Sequence, residues 1–457
     1  MSTTAPSQHA SLERLLGRPL FETIWRRRTH RVSRGVPLIK AGSMTYQSDQ
    51  KPFPLSELEE AILISLTGCT GLTMPDRPLQ DPKNDEFIMA KPSLSMRGRS
   101  AGSPDNAQGT HFFMINDSGT YFLKTLPPPS DPSELTADLL IDRARQAKVK
   151  LLDHRIDVAG PRDFPAYLDS NRFLSNVPGT TIFFPVVDLS HQYINGLMYL
   201  LTEPDGARPT LVDDRNFYQM AGVRRWVKKG FLNPDLKLPL GVIGTLRTQI
   251  EADLLVQNLM LTAEAMGLGA WIHASISPAV LMGDPKFRDK YGPMLGFEFA
   301  TPRFRLLDIF RWQVLLPKLG NLRAHPIGLK LGDEFLIKGM CPPYFESMSA
   351  AVDEVIRLKF GPGGVYTDTD VFGKIFNQDF GARFLKEARP YSDDVISCAR
   401  DVCEYIYRTH GRFPAHVDAI HVPGIWLQVH HPDLKYYERF FRHGSTEAHR
   451  NHDDHWH

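Results

Sequence analysis

A chain of 457 residues, 42% hydrophobic and 23% charged, has ordinary globular composition and length enough for two or three domains. Lys plus Arg total 53 against 52 for Asp plus Glu, a net charge of +1, which argues against a nucleic-acid binder held by phosphate neutralisation. Four scattered cysteines (Cys69, Cys341, Cys398, Cys403) exclude a disulfide framework, and the absence of an apolar leader or a run of about 18 apolar residues predicts a cytoplasmic chain with no membrane span.

The first ten residues read as disordered. "SLERLLGRPLFETIWRRR" then predicts a short helix, a break at Gly17-Arg18-Pro19, and a second helix. "PLSELEEAILISLTG" is a capped helix, with Ser56 as N-cap, Glu59 completing a capping box and Gly68 as the stop. Residues 73–109 are rich in Pro, Gly, Ser and Asp and predict a long loop. "THFFMINDSGTYFLK" has the apolar runs and turn of a hairpin. "DPSELTADLLIDRARQAKVKLLD" predicts a helix opening at Asp131-Pro132. "GTTIFFPVVDLS" is a buried strand. "TLRTQIEADLLVQNLMLTAEAMGLGAWI" is the strongest helix, apolar on most sides from Leu254 to Met266 and therefore central. Gly267 and Gly269 stop it, and a strand or loop follows. "MLGFEFATPRFRLL" is another strand leaving through a basic turn. "SDDVISCARDVCEYIYRTHGRFP" is an amphipathic helix ended by Gly411 and Pro414. Residues 443–457 are polar and His-rich and read as a mobile tail.

The residues most suggestive of chemistry lie at 25–35, where Arg26, Arg27, Arg28, His30, Arg31 and Arg34 crowd together. Like charges so close repel unless something offsets them. In a charge-balanced chain this points to a small anion or an acidic partner. His416, His421, His430 and His431 fall within sixteen residues, but their spacing matches no compact ligand motif, so no metal is assigned there. Trp426, Tyr436, Tyr437, Phe440 and Phe441 read as packing anchors for that segment.

Taken in order, "RRTHR", "NLMLTAEAMGLGAWI" and "LGFEFATPRFR" resemble the FMN-dependent nitroreductase family, over roughly residues 11–308. The resemblance implies an α+β fold: a nitroreductase-like mixed sheet flanked by helices, with a long central helix. Residues 309–442 would be an extension wrapping that core. It further implies FMN, with Arg27, Arg28 and Thr29 at the phosphate, Arg31 and Asn171 at the pyrimidine edge, Ala274 and Ser275 presenting backbone N–H groups near N5, and Arg303 and Arg305 closing on the phosphate. Several guanidinium forks and a hydroxyl suit a phosphate dianion. A cation at the pyrimidine edge stabilises charge gathered on reduction.

Family members often carry a Lys or Arg three residues after the asparagine; here that position is Leu174, which puts easy reduction by NAD(P)H in question. In the resembled family the loop before the hairpin lies near the open flavin face, so Arg97, Arg99 and Asn106 are candidates to meet a small-molecule substrate. A homodimer with FMN at the subunit interface is also implied. The expected activity is transfer of hydride or electrons through flavin N5 to a nitroaromatic, quinone or activated alkene. Alternatives are a flavin enzyme dedicated to one metabolite without free NAD(P)H, a non-catalytic FMN-binding protein, or a metalloenzyme centred on the C-terminal histidines.

Overall fold

The computed structural model describes residues 6–76, 79–81, 86–88, 93–103, 106–129, 135–156, 173–243, 247–274, 277–302, 324–388 and 390–457. Two short helices open the chain, α1 (Pro6–Leu16) and α2 (Leu20–Arg26). Residues 6–10 are therefore helical, contrary to the expected disorder. A C-terminal contact explains part of this, since the Ser11 hydroxyl donates to the His455 carbonyl. Helix α3 (Glu57–Thr67) carries the Ser56–Glu59 capping box, and Gly68 ends it.

Strands β1 (Thr110–Asn116) and β2 (Gly119–Leu123) form the expected hairpin. Helix α4 (Ala137–Ala147) is capped by Thr136, and the proposed opening at Asp131-Pro132 lies outside the described residues. There follow β3 (Lys148–Leu152), β4 (Thr181–Asp188), α5 (Leu189–Leu201), the long α6 (Arg247–Met266) and β5 (Gly269–His273). After residue 340 come α7 (Met348–Phe360), α8 (Asp393–His410), β6 (Ile420–His421), β7 (Trp426–His430), α9 (Glu447–Arg450) and α10 (His452–Trp456).

The central sheet runs β5-β7-β4-β1-β2-β3, with β6 also on β4. Every pair in it is antiparallel. The α+β class holds, but the mixed character expected of this sheet does not. Parallel pairing is found instead in a separate three-stranded sheet, between Asn233–Pro239 and Pro209–Asp213. The strand Glu298–Ala300 joins another small sheet with His325–Leu331 rather than the central one.

Strand alternation sorts the core into two layers. Phe112, Met114, Phe183, Leu427 and Val429 meet Leu58, Leu63, Leu140, Leu255 and Leu259 from α3, α4 and α6. Phe113, Ile115, Ile182, Phe184 and Trp426 meet Leu281, Met282, Phe297, Leu329 and Ile337 on the opposite face. A further core packs α5 against α7 and α8.

Within the expected extension, β7 is built into the central sheet rather than wrapped around it, lying between β5 and β4 and pairing Gly269 with His430 and Thr181 with Val429. Residues 443–457 likewise form α9 and α10 rather than a loose tail, with His449 and His452 buried. Gly267 shows how closely they dock. It has φ +88°, and a Cβ there would lie 2.3 Å from the Ala448 carbonyl oxygen. All four cysteines are buried free thiols. Among the described residues no helix is long and apolar enough to cross a membrane.

Candidate functional site

Helix α2 releases the chain at Arg27, whose backbone is extended at ψ 134°. The basic run then passes along the C-terminal end of α6 and the edge of β5. Arg27 Nη1 lies 3.8 Å from Met260 Sδ and 3.4 Å from the Thr29 hydroxyl. The Arg31 guanidinium sits 5.7 Å from the Trp271 ring centre. Arg28 turns back and donates to the Arg27 carbonyl at 2.8 Å. The backbone is pinned from the C-terminal side, where the Arg31 and Val32 N–H groups both donate to the Tyr437 hydroxyl, at 2.6 and 2.9 Å. His30 points inward, with Nε2 2.7 Å from the Gly444 carbonyl.

Charge on this face is poorly compensated. Arg26 pairs with Glu22 at 3.2 Å and Arg34 with Asp453 at 2.7 Å, whereas among the described residues Arg27, Arg28 and Arg31 have no carboxylate within 4.0 Å. Glu264 interacts electrostatically with Arg27 and Arg28, yet burial pushes its carboxyl up to about 8. It is thus largely protonated at neutral pH and offsets little. Burial also drives the His273 imidazole down to about 4, with Arg31 adding to the effect. A half-buried Arg27 and exposed Arg28 and Arg31 beside a hydroxyl and a neutral acid suit an anionic group such as a phosphate.

Ala274 is exposed at the end of β5, next along the chain from this face. Asn171, Ser275, Arg303 and Arg305 lie outside the described residues. Leu174, three positions after the asparagine, packs in an apolar cluster with Val32, Val36, Tyr46 and Tyr437. Gln428 of β7 fixes that segment, donating to the Leu174 carbonyl at 2.8 Å and accepting from the Asn176 N–H at 2.7 Å.

The loop candidates go elsewhere. Arg97 and Arg99 line a cleft of about 230 Å³ together with Gln108, His111, Asp188 and His191. Arg99 is buried there against Glu251 at 3.2 Å. The same Glu251 oxygen accepts from the Thr110 N–H at 2.9 Å and its hydroxyl at 2.6 Å. Burial pushes the Asp188 carboxyl up to about 6, the His111 ring down to about 3 and the His191 ring down to about 4. Asn106 does not line the cleft; its side chain braces the loop through the Ser95 carbonyl and Gln108. Glu251 and Met260 are nine positions apart on α6, roughly 13 Å at 1.5 Å per residue, so this cleft is separate from the basic face.

A layer of buried histidines, which includes His430 and His431 from the C-terminal group offered above as an alternative metal centre, lies behind the basic run. Gly269 leaves room for it, since a Cβ there would lie 2.8 Å from His430 Nε2 and 3.1 Å from His30 Cβ. His30 and His449 rings are 4.3 Å apart, and a second group gathers Glu59, His431, His452 and His457. His416 is elsewhere, 2.9 Å from Asp214. No compact motif signals either group, because their members come from both ends of the chain.

No family model matches this chain, and no curated protein matches it. Among solved structures, one described as a putative nitroreductase from Ralstonia eutropha is similar at 15% identity, over 60% of this chain and 76% of that one, with a TM-score of 0.25. A likeness that distant establishes neither a fold family nor an activity for this chain.

Proposed function

We propose that this chain is a cytoplasmic, homodimeric FMN-dependent oxidoreductase that passes hydride or electrons from a reductant to a small organic acceptor such as a nitroaromatic, a quinone or an activated alkene. The observation that carries the reading is the meeting of segments distant in sequence. The run 27–31, the C-terminal half of α6 at Met260, strand β5 and the stretch at Leu174 adjoin one another, and among the described residues Arg27, Arg28 and Arg31 have no paired carboxylate. The order of motifs in the sequence supports the same reading.

FMN would supply the two-electron chemistry. In this reading Arg27 and Thr29 hold its phosphate, and Arg31 stands where negative charge gathers on reduction. In the same reading the backbone N–H of Ala274, the exposed residue that follows β5, would face N5. Trp271 beneath Arg31 keeps that guanidinium oriented. The neutral Glu264 leaves the positive field of Arg27 available to the anion.

Leu174 favours a second reading, a flavin enzyme dedicated to one metabolite without free NAD(P)H. Its side chain is committed to the apolar cluster with Val32 and Tyr437, so no cation stands at that position to ease reduction. Anaerobic mixing of flavin-loaded protein with NADPH separates the two: bleaching within seconds supports the general reductase, and an unchanged spectrum supports the dedicated enzyme.

The flavin reading itself is tested by incubating the purified protein with excess FMN and measuring flavin retained after gel filtration. Near-stoichiometric retention is expected, with at least a tenfold loss of affinity in Arg27→Ala/Arg31→Ala and little change in Arg26→Ala.

A further inference from the structure

We propose that Glu59, His431, His452 and His457 form a four-ligand site for a divalent transition-metal ion, zinc being the ion these donors suit best. The four come from the first turn of α3, the residue after β7, the start of α10 and the residue after it. Their ligand atoms all lie within 4.8 Å of one another, and Glu59, His431 and His452 are buried.

Hydrogen bonding fixes which atoms face the centre. Glu59 Oε2 accepts from the Ser56 N–H at 2.6 Å in the capping box, which leaves Oε1 to point inward. His431 Nδ1 lies 2.9 Å from the Phe53 carbonyl, and His452 Nδ1 lies 2.8 Å from the Met266 carbonyl. A carbonyl oxygen only accepts, so each Nδ1 carries the proton. In the neutral rings both Nε2 atoms are then bare lone pairs.

Those lone pairs converge on one another. Glu59 Oε1 is 2.9 Å from His452 Nε2, 3.3 Å from His431 Nε2 and 3.8 Å from His457 Nε2, and the His431 and His457 Nε2 atoms are 3.2 Å apart. Acceptors this close repel unless a cation lies between them. A single added proton could bridge Glu59 Oε1 to only one of the His431 and His452 rings, and would leave the other Nε2 facing it as a bare acceptor. One metal ion serves all four. A tetrahedral zinc centre with bonds of 2.0–2.1 Å has ligand–ligand edges of about 3.3 Å, in the middle of the separations seen here. The backbone carbonyls on both Nδ1 atoms are the outer partners that orient metal-binding histidines. Imidazole with carboxylate, and no thiolate, suits zinc among divalent ions. Four protein ligands leave no position for water, so the site is structural.

The neighbouring group His30, Glu264 and His449 lacks this frustration. His449 Nδ1 accepts from the Thr446 N–H at 3.1 Å, so its Nε2 keeps a proton and points at Glu264 at 3.8 Å. His30 Nε2 is matched to the Gly444 carbonyl. The metal would thus join α3 and β7 to α10 and fix the C-terminal segment that backs the basic run. The inference does not depend on flavin binding.

The test uses flavin-free full-length protein stripped with a chelator, then titrated with Zn²⁺ and separately with Co²⁺. Expected are one tightly held ion per chain, an intense tetrahedral Co²⁺ spectrum and a higher Tm on metal addition. His431→Ala/His452→Ala should weaken Zn²⁺ binding by more than the roughly 10–100-fold typical of outer partners, while His443→Ala, at an exposed histidine, leaves it unchanged. Failure of the native protein to bind one Zn²⁺ or Co²⁺ overturns the site, as does equal binding by the folded double variant. If that variant does not fold, the partly exposed His457→Ala decides, and unchanged affinity there rejects the proposal.

Discussion

Glu264 is the residue whose chemistry most depends on where the fold puts it. Burial raises its carboxyl from 4.5 to about 8. Between those values the folded chain keeps a proton that the unfolded chain has released, so stability falls as pH rises through that window. Glu264→Gln, measured with chelator present, should flatten the fall in Tm over that range; parallel curves for variant and wild type would rule out the burial effect. The opposite limb belongs to the histidines. Burial holds His111, His430 and His449 near 3, against an ordinary 6.5, so their contribution is present above 6.5 and is lost as pH drops below it. Glu251 offers a sharper single change. Its removal leaves the Arg99 guanidinium buried and unpaired, so Glu251→Ala should cost about 3–5 kcal/mol in urea unfolding, and Glu251→Gln, which keeps the shape but not the charge, nearly as much. A much smaller loss in Glu251→Gln would show that hydrogen bonding, not charge pairing, is what matters there.

Strand β7 is the element that ties the parts together. It separates β5 from β4, and its buried Gln428 spans the Leu174 carbonyl and the Asn176 N–H. Gln428→Leu strands both backbone groups at a cost of about 1–3 kcal/mol each. The Asn176 amide should exchange with solvent markedly faster in the variant, and unchanged protection would contradict the role given to this side chain. None of this was legible in "WLQVH", five residues whose register is set by partners more than 150 and 240 positions away. Local signals fared better. Ser56, Glu59 and Gly68 bounded α3, Gly267 stopped α6, and Gly411 caps α8 in the left-handed conformation, as their spacing predicted. Caps and helical periodicity are short-range physics and can be read directly. The basic run was equally visible as a cluster. That its arginines pair with no carboxylate among the described residues was not, because Glu264 had first to be buried, and of the metal-like group only the histidines drew notice, since Glu59 served visibly only as a cap.

At the scale of the whole molecule, α2 leaves large apolar side chains in solvent. Leu20, Phe21, Ile24 and Trp25 are all exposed, Phe21 by 75% and Trp25 by 74%. An apolar face of that kind beside the basic run supports the proposed homodimer with the flavin near the subunit boundary. Phe21→Asp/Trp25→Glu should convert a dimer to a monomer in analytical ultracentrifugation and weaken flavin retention with it; an unchanged sedimentation coefficient would remove α2 from the interface. The most direct test of the account is the flavin content of the purified wild-type chain after exposure to excess FMN. It predicts a yellow protein holding close to one FMN per chain, and a colourless protein after that exposure would contradict it.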